Sequence, residues 1–167
     1  MMRGPCRQLA RTGRVGEMTM AWRPEITVLT CQYCGNVPVE MAGVERLQYP
    51  ATVKVDTVPC TGRIDLLHLL KALEQGADGV LVVACPEGTC HHLLGNQRAA
   101  ARVAYAQKLV SEAGLEAGRL RFANLGIGQG QAFADLVAEV SAEVERLGPN
   151  PMRARQSQAD SSDCGKA

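Results

Sequence analysis

The feature that most constrains the fold is an uninterrupted apolar run from Gly79 to Ala84. A strand with no polar side chain on either face is typical of the centre of a parallel sheet that helices cover on both sides. Further strand patterns, rich in β-branched residues or alternating in polarity, occur at residues 26–29, 52–58 and 120–124. The sequence therefore predicts a parallel sheet of four strands, which needs a crossover connection after each strand.

Helical periodicity follows each predicted strand, as expected for repeated βα units. The predicted helices cover about residues 38–47 and 64–75, then run from an N-cap at Asn96 to about 113, and finally over about 129–147. Crossovers of one hand place such helices on both faces of the sheet. We predict the α/β class, as a single flavodoxin-like (βα)4 domain with a four-stranded parallel sheet.

The two ends of the chain differ in composition from this central region. The first 14 residues include four arginines, and the sequence from Gly148 onward is rich in Pro, Arg, Gln, Ser and Asp. We therefore predict a disordered arm over residues 1–23, a folded domain over residues 24–148 and a disordered tail over residues 149–167.

Composition excludes several classes of function. No apolar run in the 167 residues approaches the roughly 20 that cross a bilayer, so we expect no membrane insertion. A net charge of +1 and an aromatic content of 4% favour no binding of nucleic acid. The arginine-rich start lacks the apolar segment of a secretory signal, so we expect a cytoplasmic protein. No Ser–His–Asp pattern or pair of carboxylates at helical spacing indicates a catalytic residue.

The chain has seven cysteines, an odd number that does not suit a disulfide framework. Cys6 and Cys164 lie in the predicted disordered ends, and we exclude them as ligands. The other five follow the first three predicted strands: Cys31, Cys34, Cys60, Cys85 and Cys90. Parallel strands end at one edge of their sheet, where open α/β folds bind ligands. We therefore expect three βα loops to bring five sulfurs to one place.

Converging thiols in a cytoplasmic protein are typical of a metal site. Zinc and iron–sulfur clusters both take about four thiolates, so we predict that four of the five inner cysteines are ligands. Arg63 and His91 lie close to these cysteines in sequence and are candidates to stabilise an anionic cluster. Three alternatives stay open: a zinc-binding structural or assembly module, a dithiol oxidoreductase using Cys31 and Cys34, and nucleotide or flavin binding beside the glycine-rich loop 126–130.

Several segments between Cys31 and about Val140 together form a specific signature. They are residues 31–34 (CQYC), 42–50 (AGVERLQYP), 60–65 (CTGRID), 76–82 (GADGVLV) and 88–91 (GTCH), with Gly95 and Asn96. On these segments the sequence resembles the delta subunit family of methyl-viologen-reducing hydrogenase. The resemblance implies a [2Fe-2S] cluster in a non-catalytic electron-transfer subunit of an oxidoreductase complex. It also implies two partners: a heterodisulfide-reductase-like FAD/iron–sulfur subunit, and a hydrogenase or another dehydrogenase.

The sequence departs from the usual pattern of that family close to the cysteines. Pro86 follows Cys85 where the family usually has a histidine, and residues 35–40 and 125–130 also differ. All five cysteines are retained. The resemblance therefore implies an electron-transfer role but leaves the donor open among a hydrogenase, a formate dehydrogenase and a dearomatising reductase complex.

Overall fold

Strands and helices alternate along residues 22–153, the part of the chain that the computed structural model describes. Most of the predicted arm and tail, with Cys6 and Cys164, lies outside the described residues. The main elements are β1 (Ile26–Cys31), α1 (Val37–Val44), β2 (Val53–Val58), α2 (Leu66–Glu74), β3 (Gly79–Ala84), α3 (Gly95–Glu112), β4 (Leu120–Asn124) and α4 (Gly130–Leu147). Two 3₁₀ turns, Thr61–Arg63 and Ala117–Arg119, lie between these main elements.

The four strands form one parallel sheet in the order β2-β1-β3-β4, so the prediction of a four-stranded parallel sheet is confirmed. Neighbouring strands end almost level, with Cys31 opposite Val58 and Ala84 opposite Asn124. The order reverses between β1 and β3, because β2 lies on one side of β1 and β3 on the other. Such a switch point leaves a crevice for ligands beyond the carboxyl ends of the strands.

Two hydrophobic cores lie on opposite faces of the sheet. Leu81 and Val83 of β3 point towards α1 and α4, and Val80 and Val82 point towards α2 and α3. All four side chains are at most 1% exposed, and each contributes about 1.5–3 kcal/mol by its burial. This double burial explains the uninterrupted apolar run. No helix within residues 22–153 is both long and apolar enough to cross a membrane.

Local hydrogen bonds fix the ends of the first two helices. At the start of α2, Asp65 accepts the N–H of Leu67 at 3.1 Å, and His68 Nδ1 accepts the N–H of Asp65 at 3.3 Å. This reciprocal cap fixes the entry to the helix. Helix α1 ends at Val44, three residues before the predicted end. There Arg46 adopts a left-handed backbone with a φ of 53°, which closes the last turn.

The start of α3 contradicts the prediction that Asn96 is its N-cap. The helix begins at Gly95, Asn96 is its second residue, and Leu94 occupies the cap position without a capping hydrogen bond. Leu93 precedes the cap with a left-handed backbone, φ 61°. The Asn96 side chain bonds instead to carbonyl oxygens at the end of β3. The loop before α3 is thus positioned from the sheet rather than by a cap.

The described chain stays packed beyond the predicted domain end at residue 148. Asn150 is 2% exposed, and its side-chain amide donates to two carbonyl oxygens in and just after α2, each at 2.7 Å. Its N–H donates to Asp78 Oδ1 at 2.8 Å, and Arg153 forms an ion pair with the other oxygen of Asp78 at 3.1 Å. Residues 149–153, the described part of the predicted tail, therefore pack on the domain.

Candidate metal centre

The structure places all five inner cysteines at the carboxyl edge of the sheet. Cys31 is the last residue of β1, and Cys34 lies in the loop that follows. Cys60 precedes the 3₁₀ turn after β2, Cys85 directly follows β3, and Cys90 lies in the loop before α3. Four of the thiols are buried and pack together, and half-buried Cys34 packs against them. Three βα loops therefore meet at one cluster of sulfurs, as predicted.

The buried thiols meet as two pairs. Cys85 Sγ lies 3.6 Å from Cys31 Sγ, and the sulfurs of Cys60 and Cys90 both lie beside Gly95. Cys34 also reaches the thiol of Cys85. Among residues 22–153, no three Cys, His, Asp or Glu side chains converge as ligands of a single metal ion would.

Burial keeps two of these thiols protonated in the metal-free protein. It raises the pKa of Cys85, and the hydrogen bond with Cys31 raises that pKa further. Burial also raises the pKa of Cys60, although a hydrogen bond from the N–H of Gly62 opposes the effect. Because metals bind thiolates, occupation of this site must release protons.

Cys90 is the exception, because hydrogen bonds favour its thiolate. Burial alone would raise its pKa, but the N–H groups of Asn96, His92 and Gly95 donate to its sulfur. Together with the Cys60 thiol they hold the pKa of Cys90 below its usual value. The sulfur lies at the start of α3, where the positive end of the helix dipole also stabilises negative charge.

Two glycines allow the loops around Cys60 and Cys90 to approach. A β-carbon on Gly95 would lie 2.6 Å from Cys60 Sγ and 3.1 Å from Cys90 Sγ. A β-carbon on Gly62 would lie 2.7 Å from the Cα of Gly95. The two sulfurs can therefore lie this close to the backbone of residue 95 only because it has no side chain. The sequence pattern alone predicted no such role for Gly95.

Two asparagines hold the loop after β3. The Asn96 amide donates to the carbonyl oxygens of Cys85 at 3.1 Å and Pro86 at 3.0 Å. Asn124, at the end of β4, also donates to the Cys85 carbonyl oxygen, at 2.5 Å. These bonds fix the backbone that carries Cys85. Neither asparagine was predicted at the site, because a cap or a turn is the commoner role of this residue.

The two predicted neighbours of the site differ in position. Arg63 is exposed and lines a cavity of about 350 Å³ together with Cys60, His92 and Arg98. His91 is exposed, and its ring stacks on Tyr33 with 4.3 Å between centroids. Arg63 thus lies beside a thiol, whereas His91 forms part of an aromatic stack at the surface.

The glycine-rich loop at residues 126–130 uses some of its own donors internally. The N–H of Gly126 donates to Gln129 Oε1 at 2.7 Å, and the N–H of Gly128 contacts the sulfur of Met41 at 3.3 Å. A phosphate cradle needs such N–H groups to be free. The loop therefore serves packing between α1 and α4.

Fold and site together define an α/β protein with its thiols gathered at the ligand-binding edge of a parallel sheet. The chain belongs to the family described as "Methyl-viologen-reducing hydrogenase, delta subunit", which matches residues 26–148. The resemblance noted in the sequence is thereby confirmed.

Individual relatives are similar over most of the chain. The vhu iron–sulfur subunit of the F420-non-reducing hydrogenase of Methanocaldococcus jannaschii is 38% identical over 132 residues, which are 79% of this chain and 98% of the relative. The iron–sulfur subunit of the F420-non-reducing hydrogenase of Archaeoglobus profundus is 39% identical over 132 residues. These residues are 79% of this chain and 96% of the relative.

A third relative is a much longer protein. It belongs to the ferredoxin:CoB-CoM heterodisulfide reductase of Methanosarcina mazei, and it is 32% identical over 126 residues. These residues are 75% of this chain but 16% of the relative. The chain is thus a hydrogenase delta-subunit homologue that is also related to part of a heterodisulfide reductase polypeptide.

Proposed function

We propose that this chain is an iron–sulfur electron-transfer subunit. It relays electrons between a hydrogenase or another dehydrogenase and a heterodisulfide-reductase-like flavoprotein. One observation carries the proposal: four buried thiols from three βα loops meet in two pairs at the ligand-binding edge of the sheet. Family membership supports it, as do the names of the relatives, which include hydrogenase iron–sulfur subunits and part of a heterodisulfide reductase.

The donor set suits a [2Fe-2S] cluster, which takes four cysteine thiolates. Cys31, Cys60, Cys85 and Cys90 would hold the cluster, because these four thiols are buried and pack together. Cys34 is the fifth sulfur, since it is the least buried of the set. The names of the relatives, which are iron–sulfur subunits, favour such a cluster over a single zinc ion.

A bound cluster would supply one-electron chemistry, and the residues of this chain would bind it and set its potential. The N–H groups of His92, Gly95 and Asn96 donate to the sulfur of Cys90. The N–H of Gly62 donates to the sulfur of Cys60 at 3.4 Å. Hydrogen bonds to ligand sulfurs and exclusion of water are the means by which proteins adjust such potentials.

Exposed apolar side chains beside the cysteines provide a surface for a redox partner. Leu93 is 82% exposed, Ile127 is 78% exposed, and Tyr33 and Leu94 are also exposed. Leu93 follows Cys90 by three residues and holds a left-handed backbone that a leucine rarely adopts. Large exposed apolar residues next to a functional site are typical of a protein interface. We assign docking of the flavoprotein to this surface.

Anaerobic purification, with an absorption spectrum and assays of iron and acid-labile sulfide, tests the proposal. The expected result is a brown protein that dithionite bleaches, with about two irons and two sulfides per chain for a [2Fe-2S] cluster. A colourless protein with one zinc per chain would refute it in favour of a structural module. A metal-free protein that resists reconstitution and exchanges disulfides would refute it in favour of a dithiol oxidoreductase.

Single Cys→Ser variants test the ligand assignment. Loss of a thiolate from either pair should abolish or strongly alter the cluster spectrum. Cys34→Ser is the matched control and should keep the spectrum and iron content of the wild type. A Cys34→Ser protein without a cluster, with one variant of the buried four still loaded, would overturn the assignment.

The substitution Leu93→Asp tests the docking surface. Val44 is 84% exposed and is the last residue of α1, the helix that leads away from the edge with the cysteines, so Val44→Asp is the control. In rapid-mixing experiments with the flavoprotein partner, Leu93→Asp should slow electron transfer at limiting concentration by about tenfold, the loss expected for a central interface residue. Equal rates for the two variants would place the partner elsewhere.

A further inference from the structure

The hydroxyl of Thr61 has no hydrogen-bond partner among the residues that the structure describes. Thr61 directly follows Cys60 and is 1% exposed, so water cannot easily satisfy its Oγ1. No other buried side-chain oxygen or nitrogen in residues 22–153 lacks a partner. Buried polar groups without partners are rare, and each one calls for a physical explanation.

The surrounding turn is otherwise well bonded. The carbonyl oxygen of Thr61 accepts the N–H of Ile64 at 3.0 Å. Arg102 of α3 donates to the carbonyl oxygens of Gly62 and Ile64, both at 2.7 Å. The turn is thus held firmly against α3, and the Thr61 side chain is buried within it. A valine has the same shape and would fill this position without an unsatisfied group.

We infer that the Thr61 hydroxyl donates a hydrogen bond to a sulfur of the iron–sulfur cluster when the cluster is bound. The inference rests on the proposed function, because the bound cluster would supply the acceptor that the described residues do not. The cluster and its thiolates are electron-rich and accept hydrogen bonds from nearby donors. Thr61 follows a cysteine whose sulfur already accepts the N–H of Gly62.

Such a bond has a definite effect on the reduction potential. Reduction adds negative charge to the cluster, so a donor stabilises the reduced form more than the oxidised form. The hydroxyl therefore raises the potential, and its removal lowers it. Thr61 is a positioning residue in this sense: it tunes the site without being a ligand.

Redox titration of the loaded full-length chain, followed by visible absorption and electron paramagnetic resonance, tests the inference. The variants are Thr61→Val, which removes the hydroxyl and keeps the shape, and Thr61→Ser, which keeps the hydroxyl. Thr89→Val is the control, because Thr89 is exposed beside Cys90 and its hydroxyl already donates to the Pro86 carbonyl oxygen at 3.0 Å.

Thr61→Val should change the ratio of reduced to oxidised cluster at a fixed potential by three- to tenfold, and tenfold corresponds to about 59 mV for one electron. The midpoint should move to lower potential, while Thr61→Ser and Thr89→Val stay near the wild type. The metal-free Thr61→Val protein should unfold at the same or a higher temperature, because the hydroxyl bonds to nothing there.

The outcomes separate this inference from the proposed function. A loaded Thr61→Val protein with the wild-type midpoint would overturn the inference and leave the electron-transfer proposal intact. Equal shifts in Thr61→Val and Thr61→Ser would also overturn it, because shape rather than the hydroxyl would then matter. A wild-type protein that binds no cluster would overturn both.

Discussion

Replacement of Gly95 with alanine tests whether Cys60 and Cys90 act together in the site. The new β-carbon would lie 2.6 Å from Cys60 Sγ and 3.1 Å from Cys90 Sγ. Non-bonded heavy atoms pack best at about 3.5–4.0 Å, so the nearer sulfur must move by roughly 1 Å. In the metal-free protein the thiols can rotate away. In the loaded protein the ligand bonds prevent that rotation, so the cost falls on the loaded form.

Overpacking of a close-packed site costs about 1–3 kcal/mol, which corresponds to about 5- to 150-fold weaker retention of the cluster. The metal-free variant should keep its stability, because alanine favours a helix over glycine by up to about 1 kcal/mol. Both forms are measured after anaerobic reconstitution, by iron retained against a graded chelator and by thermal unfolding. Gly43→Ala in α1 is the control, since no atom lies within 4 Å of its new β-carbon. If Gly95→Ala retains iron as Gly43→Ala does, the reasoning is refuted.

Three further changes test other parts of the structure. Asn96→Ala removes two hydrogen bonds at the end of β3 and should lower the free energy of unfolding in urea by about 1–3 kcal/mol; an unchanged midpoint would contradict their role. Arg119→Ala should cost about 2–4 kcal/mol in the same assay, because the buried carbonyl oxygen of Asp78 and the part-buried one of Gly148 lose their donor. The hydrogen bond from Arg119 also lowers the pKa of Glu116 in the folded protein. The wild type therefore gains stability above the unfolded pKa of this carboxyl and loses that stability as the pH falls through the lower folded pKa. This loss of stability in acid should be smaller in Arg119→Ala. Leu93 holds a left-handed backbone that glycine adopts without strain, so Leu93→Gly should stabilise the protein by up to about 1 kcal/mol and raise its melting temperature. A lower melting temperature would show that the leucine is not strained.

The sheet could be predicted well because its signals are local. The run from Gly79 to Ala84 and the segment from Leu120 to Asn124 match β3 and β4 at both ends. Helix ends were predicted less well where an unusual residue forms the stop. Helix α1 ends with Arg46 in the left-handed position that glycine usually occupies, so no glycine marks the end in the sequence.

The packing of residues 149–153 leaves no signal in the sequence, for a different reason. Residues after Gly148 have the composition of a polar tail, and nothing local indicates burial. Asn150 is buried because it meets Asp78, which is 72 residues away in sequence. Contacts of that range follow from the tertiary fold and leave no periodic pattern.

The site was predictable to the level of which loops meet. Once Cys31, Cys60 and Cys85 are placed at the ends of parallel strands, their proximity follows from the topology. Finer details depend on how closely the loops pack against one another. They are the pairing of the sulfurs, their close approach to Gly95 and the unpartnered hydroxyl of Thr61. This closeness depends on side-chain packing across the sheet, which spacing along the chain does not encode.

The packing around Asp78 has a consequence for how this domain can be built into larger proteins. Residue 22 lies shortly before β1, and Arg153 bonds to Glu25 and Asp78, which directly precede β1 and β3. The described chain therefore enters and leaves at the amino-terminal edge of the sheet, opposite the cysteines. A domain connected in this way can be inserted into a longer polypeptide without a linker crossing the edge that carries its cysteines. In the heterodisulfide reductase polypeptide of Methanosarcina mazei, a similar stretch of 126 residues makes up 16% of the chain.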